Sequence, residues 1–439
     1  MRRLLAVAGV LVLAGTLGVS ALLAGSAPSF ARAKRYEGGG GPVSVAVGDL
    51  NGDGKRDLAV ANNGASTISV FLNRSDGTYE ARRDYPTGDL GPWSVAIGDL
   101  DGDGKEDLAT ANIMGSVSVL LNRGDGGFER SRYLTGFYSR SVAIGDLNSD
   151  GKRDLVIANS DADSVSVLLN TGDGTFETRR DYATGGRPHS VAIGDLDADG
   201  KPDLAIAGAL SDAVSVLANR GDGSFRARRD YRTGDYPDSV AIGDLNGDRM
   251  PDLASANLDS GSVSVLVNRG DGRFRAKVDY AAGGGPSSVA IGDLNGDDTP
   301  DLVTANYGEN SVSVLANTGG GSFVAKLDYR TGRRPYEVAT GDLNGDGRLD
   351  LATANNDANS VSVLLNTPGL CMVQNVKRQR LPTARRTIAR ANCRVGRIRR
   401  ASSTTITRGR VISQRPRFGA VLPGDGEVNL VVSRGRRAS

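Results

Sequence analysis

Seven times along the chain a tight turn gathers oxygen-bearing side chains in the order D-x-[ND]-x-D-G-x-x-D. In the first copy they are Asp49, Asn51, Asp53 and Asp57, with the carbonyl of Lys55 between them. The later copies supply Asp99, Asp101, Asp103 and Asp107; Asp146, Asn148, Asp150 and Asp154; Asp195, Asp197, Asp199 and Asp203. They continue with Asp244, Asn246, Asp248 and Asp252; Asp293, Asn295, Asp297 and Asp301; Asp342, Asn344, Asp346 and Asp350. Carboxylates at alternating positions of a tight loop converge on one point, and a hard cation takes about six to eight oxygens. The chemistry expected is therefore Ca2+ binding. Asp, Asn and Gly also make ordinary hairpin turns. Seven copies with every oxygen position filled go beyond what a turn requires, because unneutralised carboxylates repel at short range. Gly54 suits the left-handed conformation that folds the loop back. Arg249 and Asp298 stand at that position in copies five and six, so copy five is expected to bind most weakly.

The loops must be held by a repeating scaffold. Their first aspartates recur at separations of 50, 47, 49, 49, 49 and 49 residues. Each unit reads as an alternating run such as "SVAIGDL", the acidic turn, "DLATAN", "SVSVLLN", a Gly turn and a polar run such as "GFERSRYLTG". Period-two patterning, β-branched residues and Gly/Asp turns predict four antiparallel strands per unit. Four strands in nearly 50 residues predict a propeller blade, and seven units predict a seven-bladed all-β ring over residues 30–367. The seventh unit lacks its last strand, and "FARAKRYEGGGGPVSVAVGDLNGD" at 30–53 matches "FRAKVDYAAGGGPSSVAIGDLNGD" at 274–297. Residues 30–36 are thus expected to complete the last blade as an N-terminal latch.

In this arrangement the acidic turns share one face with the turns between strands three and four. The opposite face varies: one column just before each inner strand reads Val43, Trp93, Arg140, His189, Asp238, Ser287 and Tyr336. Trp93, Arg140, His189, Asp238 and Tyr336 are the candidate ligand-binding residues, since variable loops on a rigid frame carry recognition. His189, the only histidine, reads as a surface residue. Three RGD triplets (123–125, 220–222, 269–271) fall in the turn "N-R-G-D-G-x-F", where Gly-Asp-Gly is turn chemistry.

The chain is electrically polarised. Residues 369–439 hold 17 Lys+Arg against Asp425 and Glu427, a net +15, which leaves −13 for residues 1–368. Seven Ca2+ ions would nearly cancel that deficit. The N-terminus, with Arg2, Arg3 and an apolar run from Leu4 to Leu23, reads as a signal peptide or uncleaved anchor over residues 1–29. Cleavage after Ala33 would remove Phe30 from the latch, so earlier cleavage is favoured. The chain is expected outside the cell, secreted or wall-associated, and meets membrane only if that segment stays uncleaved. In that setting Cys371 and Cys393, the only cysteines, are expected to form a disulfide. In the tail, Leu381, Ala384, Ile388 and Ala391 fall at helical spacing, and "RVGRIRR", "GRVISQRP" and "EVNLVVS" alternate as strands. Phe418 is its sole aromatic, which argues against nucleic acid as a partner.

The repeats resemble FG-GAP/VCBS repeats, the blade type of integrin α-subunit propellers and of many secreted bacterial proteins. The match covers about residues 30–367. The Gly-Ala-Pro element is replaced by "AVAN", "ATAN" or "ASAN", which favours the bacterial branch. The tail at 369–439 resembles a PASTA domain through "GRVISQRPRFGAVLPGDGEVNLVVSRG" at 409–435, although "MVQNV" stands where that family opens with Val-Pro. This second resemblance implies recognition of peptidoglycan or another wall polymer.

His189, the only histidine, reads as a surface residue with no repeat counterpart, so a Ser-His-Asp catalytic set is not expected. The expectation is a non-enzymatic, exported, calcium-binding propeller that meets a protein or glycan on its variable face and the wall through its tail. The alternatives are a calcium-dependent polysaccharide lectin or lyase, in which Arg140 and Tyr336 would be the first suspects, and a structural spacer.

Overall fold

The computed structural model describes residues 28–367, 371–389, 391, 393–422 and 426–435. The expected signal or anchor segment lies outside the described residues as far as residue 27. Among the described residues no helix is long and apolar enough to cross a membrane.

Seven four-stranded antiparallel sheets follow one another around a ring. In blade one the strands are Pro42–Gly48, Asp57–Asn62, Thr67–Phe71 and Arg83–Pro86, paired in chain order. The inner strands of neighbouring blades pack side by side around the whole ring, and Pro335–Gly341 of blade seven returns to Pro42–Gly48 of blade one. The second strand of every blade is buried along its length, which is why it reads Leu-Ala-Val-Ala or Leu-Ala-Thr-Ala without strict alternation.

The hydrophobic core lies between blades. Val45, Leu58, Val60 and Phe71 of blade one pack against Ala352, Ala354, Val361 and Val363 of blade seven. Near the axis six of the seven seams also carry a hydrogen bond from an inner-strand valine to a serine of the preceding blade. Val95 N–H donates to Ser44 Oγ at 3.0 Å and Val191 N–H to Ser141 Oγ at 3.2 Å. At the rim a tyrosine of strand four meets an aromatic ring of the next blade edge to face, as in Tyr85–Phe128 at 4.8 Å and Tyr182–Phe225 at 5.2 Å.

The latch is formed as expected. Lys34–Glu37 pairs antiparallel with Ser360–Leu364, Lys34 opposite Val363, and Phe30 bridges Asn366. Phe30 supplies the aromatic ring that blade seven otherwise lacks, 5.1 Å from Tyr329, whose hydroxyl donates to Pro28 O at 2.5 Å.

The tail folds one helix, Leu381–Ala389, against a three-stranded sheet. Ala384 and Ile388 of the helix join Val411, Val428, Leu430 and Val432 in its core. Cys393, buried there, is disulfide-bonded. The Cys371 side chain lies outside the described residues, and its pairing with Cys393 stays a proposal.

Candidate functional site

Each acidic turn leaves the inner strand at a Gly such as Gly48 and re-enters the sheet at the last aspartate of the motif. Asp49 folds the loop by accepting the N–H groups of Gly52 at 2.8 Å and Gly54 at 2.7 Å. Asn51 Oδ1 accepts Asp53 N–H at 3.0 Å. Asp57 is buried and accepts Leu50 N–H at 3.0 Å and Asn73 N–H at 2.7 Å. Burial pushes Asp57, Asp107, Asp154, Asp203, Asp252 and Asp350 up to about 6, and Asp301 to about 7. These backbone N–H groups pull the other way, while neighbouring carboxylates of the same loop raise the values further.

This donor set fits a hard divalent cation. In Asp99–Asp101–Asp107 and in Asp195–Asp197–Asp203, three carboxylate oxygens lie within 4.8 Å of one another. The other five loops place Asn at the middle position, so an amide oxygen stands where these two have a carboxylate. Basic side chains already lean into the loops: Lys55 Nζ sits 2.8 Å from Asp53 and Lys201 Nζ 3.0 Å from Asp199. Arg249 and Asp298 adopt φ of 70° and 68°, as their positions require. The sequence reading missed that the turn position two residues earlier is also left-handed, and that blades three and four fill it with Ser149 at 61° and Ala198 at 60°.

A further set of residues went unread. Asn73, Asn122, Asn170, Asn219, Asn268, Asn317 and Asn366 close the third strands, and each donates its Nδ2 to a leucine carbonyl in the acidic turn of the preceding blade at 2.8 Å. The backbone N–H of the same residue reaches its own blade's buried aspartate, as Asn219 N–H does to Asp203 at 2.8 Å. Every seam therefore ties two acidic turns together. The signal was the invariant Asn ending "SVSVLLN", which reads as part of a turn.

On the opposite face the seven variable residues sit second in the inner strands, at a register shift, rather than before them. They converge on the axis, where a polar cavity of about 60 Å³ opens between them, room for a few waters. Trp93, Arg140, His189, Asp238 and Tyr336, the five candidate ligand residues, all meet there. His189 is not at the surface; it is buried, because seven inner strands crowd onto one axis. Its Nδ1 lies 2.5 Å from Asp238 and its Nε2 is 3.2 Å from Arg140 Nη1. Arg140 has no acceptor role, so Nε2 carries the lone pair and Nδ1–H donates to Asp238. Arg140 also donates to Tyr336 Oη, lies 3.6 Å from Asp238 and stacks 4.6 Å above Trp93. The chain Tyr336–Arg140–His189–Asp238 thus joins blades seven, three, four and five across the mouth. Burial lowers the His189 pKa, with Asp238 opposing and Arg140 assisting, so the ring is neutral. Arg140 Nε has no hydrogen-bond partner among the described residues.

Around this plug lies a rim of loops. The residue just before the inner strand is left-handed in every blade, and four blades place a large side chain there: Tyr138, Arg187, Tyr236 and Arg334, with φ between 51° and 57°. Leu90 and Phe137 project from the same loops and Met114 and Leu210 from the adjoining strand two–three loops, Phe137 with 71 % of its surface exposed. The RGD triplets lie in strand three–four turns, where Asp125 accepts the N–H of Gly127 at 2.9 Å, as turn chemistry predicts.

Comparison with known proteins agrees with this geometry. The FG-GAP-like repeat matches at residues 49–110, 99–157, 146–206, 195–255, 244–304 and 293–353. The PASTA domain matches residues 372–434. No curated protein matches the chain. Among solved structures, BBS1N in complex with ARL6DN, in a crystal soaked with lead, is 12 % identical with a TM-score of 0.54, covering 76 % of this chain and 98 % of that one. The mercury-soaked crystal of the same complex gives 12 % and 0.53, covering 76 % and 97 %. An Agrocybe aegerita lectin that recognises non-reducing terminal N-acetylglucosamine is 21 % identical with a TM-score of 0.49, covering 72 % and 86 %. At 12 % identity the likeness to the BBS1N structures concerns the fold alone. By its repeats, which span most of its length, the chain belongs to the FG-GAP-like repeat family and ends in a PASTA domain.

Proposed function

We propose that this protein is a non-enzymatic binding module of the cell exterior, a calcium-stabilised propeller that engages a protein through its variable face and the wall through its tail. The observation that carries the reading is the rim. Left-handed Tyr138, Arg187, Tyr236 and Arg334 each cost about 1 kcal/mol or more of backbone strain, and strained positions cluster where function holds them. Exposed Leu90, Met114 and Phe137 sit beside them on adjoining loops, the apolar signature of a protein-contact surface. Calcium is supported by the all-oxygen acidic turns, with Asp99, Asp101 and Asp107 the fullest set. When bound, the ion supplies charge neutralisation and a fixed turn, while Asp49 and its counterparts shape the loop and Asp57 and its counterparts anchor it to the next strand. FG-GAP and PASTA domains suggest an extracellular or wall location, and PASTA domains bind peptidoglycan or peptide-like wall components.

Arg140 and Tyr336, the first suspects of the lyase alternative, are engaged with each other: Arg140 donates to Tyr336 Oη, and burial pushes the tyrosine hydroxyl pKa upward.

The test is co-sedimentation of the full chain with walls that retain their surface proteins and with protein-stripped walls, in calcium. Binding to stripped walls, plus extra binding to protein-bearing walls that Leu90→Ser/Met114→Ser/Phe137→Ser loses, is the expected result. Retention of the extra binding by that variant, or no extra binding by the unaltered chain, would overturn the rim assignment.

A further inference from the structure

We infer that the open side of the tail sheet is a docking surface for a polyanion whose oxyanions recur along a chain, a phosphodiester polymer of the wall. This rests on the wall-association reading above and adds to it the face and the ligand chemistry.

The sheet is built on Gly426–Ser433, flanked in parallel by Cys393–Ala401 and antiparallel by Val411–Arg415. Val428, Leu430, Val432 and Val411 turn inward against the helix. The opposite side carries Arg394, Arg397, Arg399 and Arg415, all exposed. Register places Arg399 beside Val431 and Arg415 beside Asn429. Arg394 is neutralised by Glu427 at 2.9 Å. Among the described residues Arg397, Arg399 and Arg415 have no carboxylate partner.

Strand geometry separates Arg397 from Arg399 by about 7 Å along one strand and from Arg415 by about 10 Å across the sheet. The guanidinium groups are therefore presented as an array by a rigid element rather than by loops. Each fork matches a phosphate or carboxylate with two parallel hydrogen bonds. The face offers no aromatic platform for stacking a sugar or a base, since the segment's one aromatic, Phe418, lies on the turn beyond Arg415. A neutral glycan strand has little to bind here, whereas a chain of regularly spaced charges does. The +15 of residues 369–439 makes the attraction long-ranged and dependent on ionic strength.

The experiment uses the full chain with intact wall sacculi and with sacculi stripped of phosphodiester polymers by hydrofluoric acid. Soluble poly(glycerol phosphate), polygalacturonate, duplex DNA and anionic lipid vesicles serve as competitors. Arg397→Gln/Arg399→Gln/Arg415→Gln is compared with Lys377→Gln/Arg385→Gln/Arg386→Gln, which removes equal charge from the helix side. The expected result is a loss of about tenfold or more in affinity for the sheet variant and a change within about twofold for the helix variant. Loss on stripped sacculi and release by poly(glycerol phosphate) are expected as well; retention on stripped sacculi with release by polygalacturonate would overturn the phosphodiester assignment. Equal losses in both variants, release by neither polymer, or release by DNA or vesicles as effective as by the polymers would overturn the inference. Failure of the unaltered chain to bind intact sacculi would instead remove the wall reading on which it rests.

Discussion

Glu337 of blade seven accepts the N–H of Val45 in blade one at 3.0 Å. At the six other seams the acceptor is a serine, as Ser288 is for Val338 at 3.4 Å. The ring therefore closes on an ionisable group. A narrow bore along the axis reaches Glu337, which is half-buried, and removal of its carboxyl from bulk water raises its pKa from 4.5 to about 7 against the pull of Ser44 and Val45.

That shift makes closure sensitive to pH. Between 4.5 and about 7 the folded ring keeps a proton that the unfolded chain releases. The contribution is full below 4.5 and is lost as pH rises through about 7, worth at most about 3 kcal/mol. The buried aspartates of the acidic turns titrate near the same range, so the informative quantity is a difference. Glu337→Gln should flatten the stability–pH profile by that amount relative to the unaltered protein in urea unfolding at pH 5 and pH 8. Parallel profiles for the two proteins would show that the seam does not titrate.

The asparagine stitches should couple the blades to the acidic turns. Asn219→Ala removes two Nδ2 bonds, to Leu147 O and Pro202 O, both 2.8 Å, and leaves both carbonyls short of a donor. A loss of about 2–4 kcal/mol is expected. Because the stitch ties the loops of blades three and four, the stabilisation conferred by calcium should shrink as well. Thermal unfolding with calcium and with chelator, for both proteins, checks this. A calcium increment unchanged in Asn219→Ala would mean that the loops act independently.

Metal removal should separate two classes of site. The turns of blades two and four converge three carboxylates, and the other five have Asn at the middle position. Affinity rises with ligand charge, so two of the seven sites should fill first in a calorimetric titration. Asp101→Asn/Asp197→Asn should weaken that class about tenfold and merge it with the rest. A single class in the unaltered protein would contradict the prediction.

Much of the ring was legible because its signals are local and repeated. Period-two runs, Gly-Asp turns and the match between residues 30–53 and 274–297 locate every blade and the latch. What could not be read depends on closure. His189 reads as a surface residue in a variable column, and only the crowding of seven strands around an axis buries it. Asn219 reads as a turn residue, since its partner Leu147 O is 72 positions away. Glu337 reads as one more variation beside six serines until the ring shows it at the closing seam.

The latch carries its own prediction. Phe30 is buried against Tyr329, and Ala31 N–H donates to Leu365 O at 2.8 Å. Phe30→Ala should cost about 3 kcal/mol, near the lower end for a buried aromatic because the site lies at the ring's edge. Limited proteolysis should then cut first in blade seven. Cleavage distributed evenly over the blades would argue that the latch adds little to closure.

The plug at the axis can be read through Trp93, the chain's only tryptophan, which lies under the Arg140 guanidinium at 4.6 Å. His189 faces Asp238 and Arg140 directly, with Arg187 and the Tyr236 ring nearby. Its pKa is held below 6.5 by burial, so the unfolded chain binds the proton first and the plug loses stability as pH falls below that value. Protonation places an N–H on Nε2 opposite Arg140 Nη1, two donors facing each other, and the arginine must leave the ring. Trp93 emission should therefore step at an acidic midpoint below 6.5. His189→Gln should abolish the step while calcium still stabilises the ring. Persistence of the step in that variant would place its origin in the acidic turns rather than in the plug.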